Sequence, residues 1–315
     1  MADLIHPKAP LSASFAQRLS LATIRTGSVL CVGIDPHPEL MPELFGGPGQ
    51  VPGSAKAIQH LKSFSHSVLD AAAERVPAIK PQVAFFERHG PEGLRILAEL
   101  SATARRRNLL VIMDGKRGDI GTTAKAYAEG WLGPEALFAA DALTINPYLG
   151  FDSLEPFFSR AKQTRSGVFI LVRTSNPGSA DLQQQYIEGK PVWEHMANGL
   201  AEAVRDHKDP ACELSSVGIV MGATGPKDAL SVRQLLPSAP FLIPGYGAQG
   251  AGAAEALNGL TADQETGVYK GGLVNASRAI THGEGVQSAT NTRAAVAAMQ
   301  SAIQAAINDL ALPSI

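Results

Sequence analysis

The sequence has little of several features that would each indicate a class of protein. It contains only two cysteines, Cys31 and Cys212, and their spacing matches neither a metal site nor a disulfide framework. Cysteine use of this kind is typical of a reducing compartment. No run of about 18 apolar residues occurs, so no transmembrane helix is expected. The first residues, MADLIHPKAP, lack the cationic and apolar parts of a secretory signal. Together these absences predict a cytoplasmic protein with no membrane partner.

The sequence also lacks an excess of charge of either sign. Its formal net charge is −2, which argues against a nucleic-acid-binding protein, because such proteins usually carry a basic face. A small anionic ligand needs only a few local cations and remains compatible with this balance. Hydrophobic residues make up 45% of the chain, which is enough to fill a large core.

Eight short apolar runs are spread along the chain. They are near-continuously apolar, as is typical of parallel strands buried on both faces. The runs cover residues 28–35, 78–86, 109–116, 142–148, 167–175, 216–223, 240–247 and 271–278.

Segments with helical spacing separate these runs, most clearly at 53–75, 91–107 and 226–237. Further helices are expected before the first run, at 11–25, and after the last, at 290–310. Eight strands alternating with helices predict a single (β/α)8 (TIM) barrel domain over residues 1–315, with an extra N-terminal helix. A doubly wound open sheet is the alternative. Two connections, 176–215 and 248–270, are long enough to be extended, functional βα loops. The first contains KPVWEHMANGLAEAVRDH (190–207), which indicates an extra or extended helix.

Reactive side chains recur where the predicted strands end. In a (β/α)8 barrel the carboxyl ends of the strands surround one mouth, where catalytic groups lie. Polar residues that fall in or after the predicted strands are Asp35, Lys80, Asp114, Lys116, Thr174, Ser175 and Arg278. Closure of the barrel would bring them to this mouth.

The densest group of charges is in VIMDGKRGDIG, residues 111–121. Asp114 and Lys116 are two residues apart and would share one face of an extended strand. Lys80 on the neighbouring strand could join them, and Asp119 follows on the loop. Opposite charges at about 4 Å interact by roughly 4 kcal/mol at an effective dielectric constant of 20. The alternative is a surface ion-pair cluster, in which each pair contributes about 0–1 kcal/mol.

A glycine-rich loop, PGYGAQG at 244–250, follows the seventh run, and Arg278 ends the eighth. Exposed backbone N–H groups in such loops bind phosphate, and an arginine adds a bidentate cation. Barrel enzymes commonly bind phosphate after strands 7 and 8. The sequence therefore predicts a phosphate subsite here, although a glycine-rich loop alone is more often a simple turn.

These residues resemble a known family. DGKRGDIGTTA (114–124) is similar to the D-x-K-x-x-D-I signature of orotidine 5′-phosphate decarboxylases, especially the longer bacterial form. Sugar-phosphate decarboxylases and aldolases of the same superfamily share D-x-K-x-x-D alone. Five further segments agree in order with the family: GIDPHPE (33–39), IKPQVAFFE (79–87), TSNPGS (174–179), PGYGAQG (244–250) and NASR (275–278).

The resemblance implies a reaction and its catalytic groups. Orotidine 5′-phosphate would lose CO₂ to give UMP, the last step of de novo pyrimidine synthesis, with no metal and no organic cofactor. The charged residues of the family match Lys80, Asp114, Lys116 and Asp119. Lys116 would stabilise the C6 carbanion and then protonate it, while Asp114 would lie near the departing carboxylate.

The resemblance also implies the substrate contacts. Asp35 and Lys80 would bind the ribose, and Ser175 would bind the pyrimidine. Phosphate would be held by Arg278 and by Gln249, whose loop also includes Pro244 and Gly247 and would close over the phosphate.

A homodimer is implied as well. Asp119, with Ile120 and Thr123 beside it, would reach the neighbouring subunit's site. Arg117, Asn146 and Tyr246 receive no role.

Two other functions remain open. One is a Mg²⁺-dependent barrel enzyme acting on a sugar phosphate, such as a relative of keto-gulonate-phosphate decarboxylase or hexulose-phosphate synthase. The other is a non-catalytic nucleotide-binding barrel.

Overall fold

A computed structural model describes residues 13–247 and 250–313. Eight parallel strands form the barrel: β1 (Leu30–Ile34), β2 (Ala78–Pro81), β3 (Leu110–Arg117), β4 (Ala142–Ile145), β5 (Gly167–Arg173), β8 (Val217–Met221), β9 (Phe241–Ile243) and β12 (Gly272–Ala276). They close in the order β1-β12-β9-β8-β5-β4-β3-β2, which confirms the predicted fold and excludes the open sheet. Four short strands outside the barrel are β6 (Tyr186–Ile187), β7 (Lys190–Pro191), β10 (Thr261–Asp263) and β11 (Val268–Lys270).

Helices surround the barrel, and their apolar faces bury the outer side of the strands. They are α1 (Phe15–Thr26), α2 (Ala55–Ala72), α3 (Val83–Glu87), α4 (Gly90–Arg106), α5 (Gly121–Trp131), α6 (Glu155–Thr164), α7 (Ser179–Leu182), α8 (Val192–Asp206), α9 (Pro226–Leu235), α10 (Ala253–Leu257), α11 (Arg278–Thr281), α12 (Glu284–Gln287) and α13 (Thr292–Asp309). Pro91 and Pro226 lie in first helical turns, as expected, because no intrahelical N–H bond is lost there.

The extra N-terminal helix, α1, closes the end of the barrel from which the strands start. Ser14 caps it by accepting the Gln17 N–H at 3.1 Å. Phe15 and Leu19 enter the barrel and pack with inward-facing strand residues, and Phe15 meets Phe169 edge to face. Gly167 makes room for this ring, since a Cβ there would lie 2.2 Å from Phe15. This end of the barrel is therefore filled with apolar side chains.

The second predicted strand is shorter than expected. The apolar run 78–86 forms a strand only to Pro81, and Val83–Glu87 is helix α3. The strand has reached the rim of the barrel, where the chain must turn. A short apolar run cannot distinguish a strand from a buried helical turn.

The two long connections contain small elements, of which the sequence predicted only the extra helix in KPVWEHMANGLAEAVRDH (190–207), confirmed here as α8. Residues 176–215 include α7, an antiparallel β6–β7 hairpin and α8, which packs on the barrel. The second connection includes α10 and the β10–β11 hairpin. Among the described residues, no helix is both long and apolar enough to cross a membrane.

Candidate active site

A pocket of about 450 Å³ opens at the carboxyl end of the barrel strands. Its lining combines charged and amide side chains with a small apolar wall. The lining residues are Asp35, Lys80, Gln82, Asp114, Lys116, Thr144, Leu171, Thr174, Ser175, Asn176, Gln183, Val220, Leu242, Pro244 and Asn275. The volume suits a nucleotide-sized ligand held by a few polar groups.

Three of the predicted charged residues meet in this pocket, and we call Lys80, Asp114 and Lys116 the charged cluster. Lys80 Nζ donates to Asp114 Oδ2 at 2.8 Å, and Lys116 Nζ donates to Asp114 Oδ1 at 2.6 Å. The side chains of Lys80 and Asp114 are 6% and 10% exposed, whereas that of Lys116 is 45% exposed. The two lysines thus hold one buried carboxylate from both sides, and Lys116 alone reaches far into the open pocket.

The charged cluster keeps its charges because its members are paired. Burial alone would raise the pKa of Asp114, but Lys80 and Lys116 hold that pKa well below its usual range. Burial alone would lower the pKa of Lys80, but Asp114 and then Asp35 raise it above the ordinary value. The site therefore carries fixed charges at neutral pH, as preorganised electrostatic catalysis requires.

Lys116 meets Asp114 from an irregular strand, not from the extended one predicted. Lys116 has a φ of +44°, and the pairing of β3 with β4 shifts register between Met113 and Arg117. Left-handed backbone at a residue other than glycine costs about 1–3 kcal/mol and recurs at active sites. The prediction that the Asp114 and Lys116 side chains lie together is thus confirmed, but the backbone that brings them together is not extended.

The loop after β5 places Thr174 and Ser175 on the pocket wall. Gln183 Oε1 accepts the Thr174 N–H at 2.8 Å, and Gln183 Nε2 donates to Thr174 Oγ1 at 2.9 Å. Buried Arg173 donates to Ser179 Oγ at 2.6 Å and to Asp228 at 3.1 Å. The first long connection is therefore bonded into the pocket wall.

Two polar side chains in the pocket have spare hydrogen-bonding capacity. Asp35 Oδ1 and Asn275 Oδ1 are buried and accept no hydrogen bond from the described residues. Buried polar atoms are normally satisfied, so each has the character of a ligand contact. Asp35 was predicted as a ribose contact, whereas Asn275 was not assigned a role.

Other predicted site residues lie outside this pocket. Asp119 accepts the Ile120 N–H at 2.7 Å, and Ile120 and Thr123 are exposed. Gly247 and Arg278 are exposed at the rim, where a Cβ on Gly247 would lie 3.9 Å from that of Ala279. Gln249 lies outside the described residues.

Three residues left without a role are not among the residues that line the pocket. The Arg117 guanidinium pairs with Glu87 and lies over the Trp131 ring at 5.1 Å. Tyr246 donates to Asp309 at 2.7 Å, and burial together with this bond raises the pKa of Tyr246. Asn146 Oδ1 accepts the Tyr148 N–H at 3.0 Å. Arg117 and Tyr246 are thus bonded to the surrounding helices α3, α5 and α13, whereas the Asn146 bond is local.

Sequence reasoning missed Thr144, Gln183 and Asn275, which all line the pocket. Thr144 and Asn275 are polar residues that interrupt apolar runs, which was an available signal. Gln183 lies beyond the TSNPGS segment, and nothing in its local pattern places it at the mouth.

The fold and the site together define a class: a (β/α)8-barrel enzyme with buried, paired charges at the carboxyl ends of its strands. Comparison with known proteins narrows this class. Residues 28–292 match the family described as orotidine 5′-phosphate decarboxylase / HUMPS. The chain belongs to this family.

Individual relatives agree with the family match. The chain is 40% identical to an orotidine 5′-phosphate decarboxylase of Rhodopirellula baltica, over 85% of this chain and 88% of the relative. It is 39% identical to one of Deinococcus radiodurans, over 91% of this chain and 96% of the relative. The structure of Leishmania donovani OMP decarboxylase matches with a TM-score of 0.65 at 32% identity, covering 93% of this chain and 98% of that one.

Proposed function

We propose that this chain converts orotidine 5′-phosphate to UMP and CO₂ in de novo pyrimidine synthesis. The observation that carries the proposal is the buried Asp114 carboxylate bonded by Lys80 and Lys116 at the base of a nucleotide-sized pocket. The relatives at about 40% identity carry the name of this activity over most of both chains.

The charged cluster supplies the chemistry. When the C6–carboxylate bond breaks, its electron pair remains on C6 and CO₂ leaves. Lys116, the most exposed member of the cluster, stabilises this developing charge and then transfers a proton from Nζ to C6. The neutral amine recovers its proton from water. Asp114 keeps Lys116 Nζ in place and lies beside the departing carboxylate.

The remaining contacts follow the shape of the pocket. Asp35 and Lys80 bind the ribose hydroxyls, for which Asp35 Oδ1 is a free acceptor in the described structure. Ser175 bonds the pyrimidine from the loop after β5. Phosphate binds at the rim, between Arg278 and the loop that contains Pro244, Gly247 and Gln249. Binding energy at this remote group contributes to closure over the base.

The chain acts as a homodimer in this proposal. Asp119 and Thr123 lie outside their own pocket and are contributed to the neighbouring subunit's site. Nearby exposed apolar side chains support a contact surface, including Ile120 at 59% and Tyr148 at 76% exposure. If each site is shared, mixing inactive Lys116→Ala and Asp119→Ala proteins restores part of the activity through hybrid sites. Absence of recovery despite proven subunit exchange would count against shared sites.

A sugar-phosphate reaction is the second candidate, because the matching family also includes HUMPS members. Enzymes of that kind use Mg²⁺, which prefers carboxylate and water oxygens. Here both oxygens of Asp114 accept from lysine ammonium groups. That charge pattern favours an anionic substrate over a divalent cation.

One assay separates the two candidates. Purified protein is offered orotidine 5′-phosphate, 3-keto-gulonate 6-phosphate and hexulose 6-phosphate in parallel, each with and without EDTA. We expect turnover of orotidine 5′-phosphate alone, at a rate that EDTA does not change. EDTA-sensitive turnover of a sugar phosphate would favour the second candidate, and nucleotide binding without turnover would favour a non-catalytic barrel.

A further inference from the structure

The Thr144 hydroxyl makes two hydrogen bonds to the charged cluster, one to Asp114 and one to the backbone of Lys116. Thr144 lies on β4, is 1% exposed and lines the pocket. Its Oγ1 donates to Asp114 Oδ1 at 2.9 Å and accepts the Lys116 backbone N–H at 2.9 Å. The directions are fixed, because an ionised carboxylate can only accept and a backbone N–H can only donate.

The bond to Lys116 replaces a missing strand contact. Pairing of β3 with β4 is regular at Met113, is interrupted, and resumes at Arg117, whose carbonyl accepts the Asn146 N–H at 2.8 Å. The Lys116 N–H falls in this interruption, where Lys116 adopts its left-handed conformation. A backbone donor in a partly buried position needs an acceptor, and the Thr144 hydroxyl provides it.

The bond to Asp114 acts on the other end of the same lysine. Asp114 Oδ1 also accepts Lys116 Nζ, at 2.6 Å. Thr144 therefore fixes both the backbone from which Lys116 projects and the oxygen to which its ammonium group is tied. Valine has nearly the same shape as threonine but cannot make either bond.

We propose that Thr144 is a positioning residue that holds the Lys116 backbone and the Asp114 carboxylate in the geometry needed for proton transfer. This inference rests on the proposed decarboxylase function. Misplacement of a reacting group by about 1 Å can cost on the order of 100-fold in rate. Loss of positioning lowers kcat, whereas loss of a simple binding contact would raise KM.

The test compares Thr144→Val with Thr144→Ser, in the full-length protein with orotidine 5′-phosphate. We expect Thr144→Val to lower kcat by about 10- to 100-fold while KM changes by less than about 3-fold, and Thr144→Ser to recover at least about a third of kcat. Thr23→Val is the matched control, since Thr23 is also a buried threonine, but on α1 with its hydroxyl bonded to Ser20 O. Its kcat should equal that of the wild type.

Three results would overturn the inference: an unchanged kcat in Thr144→Val, an effect on KM alone, or a serine variant as slow as the valine variant. If Thr144→Val does not fold, Thr144→Ala replaces it as the variant without a hydroxyl. Amide hydrogen exchange at Lys116 gives a second readout, which should be faster without the hydroxyl. If the wild type leaves orotidine 5′-phosphate unchanged, the proposed function fails, but this exchange rate still decides whether Thr144 holds Lys116.

Discussion

The two halves of the barrel interior differ in chemistry although the same strands build both. In the half closed by α1, which we call the apolar half, the inward residues include Ala78, Ile112, Ala142 and Leu273. Two residues further along each of these strands, in the half that we call the polar half, lie Lys80, Asp114, Thr144 and Asn275. One step of the strand repeat thus separates a hydrophobic core from a reactive site.

The difference shows how stability and function divide within one cylinder. Burial of apolar side chains stabilises the first half without any geometric demand beyond packing. The polar half buries charges at a cost and recovers that cost only through paired contacts. We therefore expect substitutions in the apolar half to act on unfolding, and substitutions in the polar half to act on turnover.

The largest expected effect is that of Lys116→Ala. In the proposed mechanism this change removes both the proton donor and the cation beside the carbanion, so kcat/KM should fall at least about 10⁴-fold. Thermal stability should change little, because the Lys116 side chain is 45% exposed. Steady-state kinetics and thermal unfolding measure the two effects, and Lys62→Ala, at a surface ion pair with Glu99, is the control. A large loss of thermal stability would show that the roles of this residue in turnover and in stability are not separate.

The converse variant is Phe169→Ala in the apolar half. Phe169 is fully buried against Phe15, so truncation should reduce the free energy of unfolding by about 3–5 kcal/mol. The turnover of the folded fraction should remain within about 3-fold of the wild type, because the effects of distant sites are usually independent. Urea unfolding and kinetics of the same samples test this. Leu137→Ala, at an exposed leucine, should change the unfolding free energy by less than about 0.5 kcal/mol.

Lys80→Met tests the pairing that permits charge in the polar half. At neutral pH the variant should lose about 2–3 kcal/mol of the free energy of unfolding. This is somewhat less than the cost of leaving a buried charge with no partner, because Lys116 and Thr144 still bond Asp114. The folded pKa of Lys80 is raised, so its contribution is complete below the ordinary value of 10.5 and falls as pH rises through the folded pKa. The stability difference between wild type and variant should therefore shrink above about pH 10.5. A difference that stays constant to pH 12 would contradict the pairing.

The smallest effect concerns Cys31, an inward residue of the apolar half. Burial raises the pKa of this thiol to about 12, so very little thiolate exists at pH 8. A thiol reagent should label Cys212, which is only partly buried, long before Cys31 in the native protein. The Cys212→Ser variant should then show no fast-reacting thiol until urea is added. Rapid labelling of Cys31 would mean that the apolar half opens readily.

The sequence predicted the barrel because parallel strands buried on both faces leave continuous apolar runs, and all eight were recognisable. Once the strands were recognised, the sequence also placed Lys80, Asp114 and Lys116 at one mouth, because the carboxyl ends of barrel strands meet there. The hairpins in the long connections escaped prediction, because their strands are only two or three residues long and mostly exposed.

The bonds within the site could not be read from the sequence. Thr144 reaches Lys116 only because the strand register shifts there, and Gln183 reaches Thr174 only after an α-helical turn within an inserted segment. The contacts of Asp119 are harder still to predict from the sequence, because its proposed partner groups belong to a second copy of the chain. Residue type and order predicted that Lys80, Asp114 and Lys116 gather at the mouth, whereas the bonds of Thr144 and Gln183 depend on backbone irregularity.

The most direct test of the central claim follows the reaction by proton NMR in D₂O, with wild-type protein and Lys116→Ala in EDTA. We predict that the wild type converts orotidine 5′-phosphate to UMP carrying deuterium at C6, while Lys116→Ala leaves the substrate essentially unchanged over the same time. Unchanged substrate with the wild type, or UMP formed equally fast by both proteins, would contradict the assignment of catalysis to the charged cluster.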